Sequence, residues 1–221
     1  MPVRAERRYP RYPIQLPLQY SVAASPARRG VGWTHTLGEG GACIELDQPL
    51  SSKTPIALRL QTDRGVIETE ARIAWTGATG GPGEGTYHGI TFLRFAPEQR
   101  QILQDILLPL SMTAHAGGRL PVELRVTCRP KGRSGPPLKG WTGNVNRGGL
   151  LVLLPEAVPP GTHLEITIQS KKSKVAVEGE VVWVEPTERR TPGVLVKHGL
   201  RFTSLDWSVS LVLGVVLSDL R

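Results

Sequence analysis

Three arginines stand together near the start of the chain, Arg7, Arg8 and Arg11 in "ERRYPR", with Arg7 and Arg11 four residues apart. A guanidinium can fork onto a phosphate, pair with the O6/N7 edge of guanine, and stack flat on a base. Several of them on one arm can do all three around a single anionic nucleotide. The plainer reading is a solvated basic N-terminus, a common feature of domains.

The second candidate is a turn that occurs twice. Residues 32–41 read "GWTHTLGEGG" and residues 140–149 read "GWTGNVNRGG", with five of ten positions identical. Each follows a strand-like run, ends in paired glycines and re-enters a strand-like run. Glycine lets a ligand approach the backbone. Short Asn, Asp or Ser side chains ahead of it offer donors and acceptors. Asn and Gly also favour turns with no ligand present, so the plainer reading here is a structural turn.

Other chemistry-bearing residues are sparse. There is no phosphate-cradling Gly-Lys-Ser/Thr loop and no paired-His metal helix. Two Cys, Cys43 and Cys128, share no spacing motif and are read as reduced core thiols. His88 and His198 both precede a glycine in matched strands and read as structural. Trp33, Trp75, Trp141 and Trp183 recur in pairs and read as core or barrel-lid packing rather than a stacking platform. No enzyme and no cofactor or metal is indicated.

What positions these residues is a duplication. Trp33 matches Trp141 and Trp75 matches Trp183, both at an offset of 108. "RYPIQLPLQY" (11–20) matches "RLPVELRVTC" (119–128) at the same offset, and "YHGITF" (87–92) matches "KHGLRF" (197–202) at 110. That period is too long for a solenoid unit and suits a whole domain. Two domains are expected, 1–112 and 113–221.

Within each copy, apolar residues alternate with polar ones in short runs, the period of half-buried strands. Turn signals separate the runs, although "AASPARRG" (23–30) reads as a loop. With 25 Gly and 19 Pro, the composition favours short strands over helices. Five to six strands per copy suggest a small antiparallel barrel. Each copy ends in a helix. "PEQRQILQDILLPL" (97–110) starts with Pro97 and Glu98 and lines up Ile102, Leu103, Ile106, Leu107 and Leu110 on one face. "LDWSVSLVLGVVLSDL" (205–220) is apolar on most sides, with Asp206 placed as its cap. Its breadth calls for a second surface, on the other domain or on a second subunit as a homodimer contact.

An Arg-x-x-x-Arg arm, a first strand, and an Asp/Asn-x-Ser-x-x-Gly turn on a six-stranded barrel form the pattern of the PilZ domain. The chain resembles that family over nearly its whole length, as two tandem copies, all-β with short helices. The resemblance implies a bacterial receptor for cyclic di-GMP. It assigns Arg7, Arg8, Arg11, Thr36, Gly38 and Gly41 to the ligand site of the first copy. In the second copy it points to Arg119, Asn144, Asn146 and Gly149 as a second or composite site. Both matches are partial. The first copy keeps the arginines, but Thr36 replaces the Asp/Asn, Gly38 removes the Ser hydroxyl, and Glu39 adds a negative charge. The second keeps Asn144 and Gly149, with Asn146 at the Ser position, but His115 and Ala116 replace two arginines. The alternative is a degenerate PilZ adaptor that acts through protein contacts without ligand.

The net charge of +8 favours an anionic partner. Residues 1–112 carry 12 Lys and Arg against 10 Asp and Glu, whereas residues 113–221 carry 15 against 9. The second copy, through "RPKGR", "KKSK" and "ERR", is the more basic and is expected to face a protein partner if those runs are not simply solvated. Acids interspersed among the bases argue against nucleic acid. The charged start "MPVRAERRYPRYP" lacks an apolar signal segment. The longest apolar run, "VSLVLGVVL" (209–217), is too short to span a bilayer. The reading is therefore cytoplasmic, with no membrane span.

Overall fold

The computed structural model describes residues 9–79, 84–112, 119–132, 135–191 and 193–218. It divides into two compact units, Met1–Gly118 and Arg119–Arg221. Each unit is a closed six-stranded antiparallel barrel followed by a helix.

In the first unit the strands are β1 (Pro17–Val22), β2 (Ser25–Gly38), β3 (Gly41–Leu46), β4 (Pro55–Thr62), β5 (Gly65–Thr79) and β6 (Thr86–Arg94). They close in the order β1-β2-β3-β6-β5-β4. Alternation dictates which side chains fill the barrel. Leu18, Tyr20 and Val22 of β1 point inward, as do Ile56, Leu58 and Leu60 of β4. The run "AASPARRG" is mostly strand, because the β1–β2 connection is a tight turn at Ala23–Ala24 and β2 already starts at Ser25. Helix α1 (Pro97–Met112) begins at Pro97, with Glu98 in its first turn. It packs on β5 and buries Leu103 and Leu107, while Ile102 and Ile106 are half-buried. The side chain of Leu110 lies outside the described residues.

The second unit repeats the plan. Its strands are β7 (Arg125–Pro130), β8 (Leu138–Asn146), β9 (Gly149–Leu154), β10 (His163–Gln169), β11 (Lys174–Val184) and β12 (Val196–Ser204). The order β7-β8-β9-β12-β11-β10 has the same topology. Helix α2 (Trp207–Ser218) is capped by Asp206, whose Oδ1 accepts from the Val209 N–H at 2.8 Å and the Ser208 hydroxyl at 2.7 Å. The backbone bond from Val209 is the main reason that the Asp206 carboxyl lies below its ordinary range. α2 packs on β11 and buries Leu213, Gly214, Val216 and Leu217. Among the described residues no helix is long and apolar enough to cross a membrane.

The recurring histidines hold each barrel's long connection. The His88 Nε2 accepts from the Leu50 N–H at 2.9 Å, and the His198 Nε2 accepts from the Val158 N–H at 2.9 Å. Their Nδ1 atoms sit 2.9 Å from the carbonyls of Thr86 and Val196, which assigns the proton to Nδ1. Both rings are buried, and that burial holds both below the ordinary histidine value. The glycine after each histidine makes room for a tryptophan. A Cβ on Gly89 would lie 1.9 Å from the Trp75 ring, and one on Gly199 would lie 1.9 Å from the Trp183 ring.

Two packing expectations need correction. Trp33 is buried, but Trp75, Trp141 and Trp183 are 46%, 37% and 43% exposed. Cys128 is buried, and that burial pushes its thiol up to about 12, whereas Cys43 is only half-buried.

Candidate functional site

The arm preceding each barrel is clipped to the turn by backbone. Tyr12 and Leu37 exchange two hydrogen bonds of 2.9 Å, and Leu120 and Val145 do the same in the second unit. A buried threonine hydroxyl adds a second clip. The Thr34 Oγ accepts from the Leu16 N–H at 2.8 Å and donates to the Ile14 carbonyl at 2.5 Å. Thr142 accepts from the Leu124 N–H at 2.9 Å and donates to the Val122 carbonyl. These clips place Arg11 and Arg119 one residue before the bridge, beside their own turns.

The turn connects β2 to β3, or β8 to β9. Within β2 and β8, one residue ahead of Thr36 and Asn144, His35 and Gly143 bulge out of the pairing. That bulge sets the register, with Thr36 opposite Cys43 and Asn144 opposite Leu151. The shared final glycine answers to backbone packing. A Cβ on Gly41 would meet the Ile90 carbonyl oxygen at 2.1 Å, and one on Gly149 would meet that of Leu200 at 2.1 Å.

The two turns then diverge. In the first unit the arm lies over the glycines. A Cβ on Gly38 would stand 2.3 Å from the Pro10 carbonyl oxygen and 3.1 Å from the Arg11 Cγ. One on Gly40 would stand 2.8 Å from the Tyr9 ring, and one on Gly41 would stand 3.3 Å from the Arg11 Nη2. So Gly38, Gly41 and Arg11 come together. Thr36 is half-buried two residues away. Arg7 and Arg8 lie outside the described residues. A crevice of about 340 Å³ opens beside the arm, walled by Pro10, Tyr12, Glu39, Gln104, Asp105 and Leu108. The carboxylates of Glu39 and Asp105 make that wall acidic.

In the second unit the turn satisfies itself. The Asn146 Oδ1 accepts from the N–H groups of both Gly148 and Gly149 at 2.9 Å. The Arg119 Nη1 lies 3.5 Å from the Asn144 Oδ1. Arg147, where the first unit has Glu39, lies 5.3 Å from the Trp207 ring of α2. Asn146 thus spends its acceptor on the turn and keeps only its NH₂ group for anything else.

Sequence reasoning missed the threonine clip and Tyr9. The threonines carried a signal, since Thr34 and Thr142 recur at the offset of 108. Tyr9 carried none. A larger trough of about 790 Å³ lies on the outer wall of the first barrel, over Ser21, Ala57, Arg29 and Glu70. It contains none of the predicted residues and does not adjoin the arm–turn contact.

A family model described as the PilZ domain matches residues 5–108 and 116–209. The chain belongs to the PilZ domain family. Both PilZ copies carry the arm-on-turn arrangement described above. No curated protein matches the chain. Solved structures similar to it include the PilZ domain with c-di-GMP of YcgR from Escherichia coli, at 20% identity and TM-score 0.40, covering 49% of this chain and 94% of that one. The PlzA protein of Borreliella burgdorferi in complex with c-di-GMP is 11% identical at TM-score 0.35, covering 91% and 88%. YcgR from Escherichia coli in complex with c-di-GMP is 10% identical at TM-score 0.36, covering 92% and 83%.

Proposed function

We propose that this chain is a cyclic di-GMP receptor whose first PilZ unit holds the ligand with Arg7, Arg8 and Arg11 against the turn of Thr36, Gly38 and Gly41. The observation that carries this reading is the Arg11 guanidinium seated beside Gly41, on an arm clipped to the turn by the Tyr12–Leu37 bonds. A guanidinium fixed there can meet phosphate or a guanine edge bidentately, and Arg7 and Arg8 are proposed to supply further charge to the same ligand. The acidic wall at Glu39 and Asp105 opposes the phosphates and lowers affinity. Closing of the arm on the ligand is the step that changes the contacts of this unit with its partners.

The second unit fits the ligand-independent adaptor reading better. Its Asn146 is committed to the turn, and Arg119 already has Asn144 as a neighbour.

Calorimetry with cyclic di-GMP on the intact chain tests both. Saturable heat at micromolar ligand is expected, lost when Arg7→Ala and Arg11→Ala are combined and unchanged by Asn144→Ala. No heat from the wild-type chain at tens of micromolar overturns the receptor reading. Undiminished affinity in the double arginine variant overturns the site.

A further inference from the structure

The excess charge of the second unit has a place. Cross-strand register lines up Lys174, Gln169, Arg125 and Trp141 in one row across β11, β10, β7 and β8. All four side chains are exposed, and the Arg125 guanidinium lies 5.7 Å from the centre of the Trp141 ring. Lys139 shares the outer face of β8 with Trp141. The β10–β11 turn adds Lys171 and Lys172 at the lysine end of the row. That turn is held by Ser170, whose N–H donates to the Ser173 carbonyl at 2.8 Å and whose Oγ accepts from the Ser173 N–H at 3.0 Å.

Of the other basic runs, Arg129 shares the outer face of β7 but stands opposite Glu165, which itself faces Glu178. Lys131 pairs with Glu178 at 2.7 Å, and the Arg190 Nε donates to the Glu185 carbonyl at 2.8 Å. Among the described residues, Arg125, Lys139, Lys171, Lys172 and Lys174 have no acidic partner. The nearest acid along the chain is the exposed Glu123, two residues before Arg125, and Glu165 and Glu178 stand on the outer face two rows from Trp141.

The barrel frame does not require this chemistry. At the offset of 108 the first unit has Pro17 for Arg125, Val31 for Lys139, Asp63 for Lys171, Arg64 for Lys172 and Val66 for Lys174. Its Trp33, matching Trp141, is buried. Two copies of one fold therefore differ in this row by an exposed tryptophan and four additional cations.

We infer that this face of the second unit docks an acidic segment of a protein partner, with Trp141 and Arg125 as the anchor and the lysines as the rim. An exposed Trp–Arg pair ringed by lysines matches the centre and edge of a protein interface. A single-stranded nucleic acid needs an aromatic for each stacked base along a basic groove, and this face presents one indole with an arginine beside it. A lipid surface needs a broader apolar area than one tryptophan among Gln169, Thr127, Thr167 and Lys139. The inference goes beyond the receptor reading and stands whether or not cyclic di-GMP binds.

The test is fluorescence anisotropy on the full chain at physiological salt. The probe is a fluorescein-labelled peptide of Glu and Asp around one Phe. Comparison probes are an oligo(dT) of equal charge and vesicles of phosphatidylcholine with phosphatidylglycerol. The peptide should bind most tightly. Trp141→Ala and Arg125→Gln should each weaken it at least about tenfold. Trp141→Phe should recover most of the loss. Replacing Lys171, Lys172 and Lys174 by Gln should flatten the salt dependence. Arg125 is exposed, so Arg125→Gln decides the matter if Trp141→Ala melts early. The proposal is overturned if the peptide does not bind, if Arg125→Gln leaves binding intact, or if the oligonucleotide or the vesicles bind more tightly.

Discussion

The two β-hairpin turns share a frame and differ in what covers them. At residues 36–41 glycines leave space, and the arm fills it with Tyr9, the Pro10 carbonyl and Arg11. At residues 144–149 a side chain does that work from within, as Asn146 accepts two backbone N–H groups. A turn closed by its arm has its ligand-facing cation delivered with the cover. A turn closed by its own asparagine is finished without one. On the proposed reading, the same repeat carries the ligand site in one unit and a self-satisfied structural hairpin in the other.

The largest effect expected from breaking this comparison falls on what the turns share. Gly41→Ala and Gly149→Ala each push a Cβ to 2.1 Å from a carbonyl oxygen of the neighbouring strand. Backbone cannot step aside cheaply, so each should cost about 2–3 kcal/mol by overpacking. Chemical denaturation of the two variants should show similar losses. A neutral Gly149→Ala would mean that the shared glycine is not there for backbone packing.

Exchanging what differs should have a middle-sized and asymmetric effect. Asn146→Gly removes the acceptor for two N–H groups and should cost about 1 kcal/mol, with the arm untouched. Gly38→Asn places a Cβ 2.3 Å from the Pro10 carbonyl oxygen and should lift the first arm. Limited trypsin digestion should then cut after Arg11 several times faster than in the wild-type chain. Equal protection in both proteins would mean that the arm does not depend on the glycine.

A pH-dependent effect should be the same in both units. His88 and His198 are held neutral by burial, with folded values below the ordinary 6.5. Below pH 6.5 the unfolded chain takes up protons that the folded chain refuses, so this contribution to stability is full above that pH and falls below it. The slope is at most about 1.4 kcal/mol per pH unit for each histidine. Melting temperatures from about pH 7.5 down to about pH 5.5 should fall less steeply in His88→Asn and His198→Asn chains, measured against their own values at the upper end. An unchanged slope would remove the histidines from the acid response.

Much of the fold was legible. The offset of 108 announced two copies, and alternation announced strands, because period 2 is imposed by the pleat itself. Pro97 and Asp206 marked helix starts through chemistry that acts within one turn. The reading failed where context outweighed local signal. Ser25–Gly30 looked like a loop for its Pro, Arg and Gly residues, yet pairing with β1 makes it strand. Trp75, Trp141 and Trp183 look like core or lid packing because their size suggests burial, yet all three stay exposed, while Trp33, in the register of Trp141, is buried. Of the candidate site, Arg11, Gly38 and Gly41 were legible as a set.

By itself the sequence determined the duplication, the strand pattern, the arm-and-turn motif and the charge excess of the second copy. These are local or periodic properties, written in residue type and spacing. Only the tertiary structure decided that Arg11 lies on the first turn, that Asn146 is consumed by the second, and that Lys174, Arg125 and Trp141 form one row. The first and the last depend on register between segments far apart in the chain, whereas the Asn146 bonds span only two and three residues, a choice of local turn geometry that the residue types alone leave open.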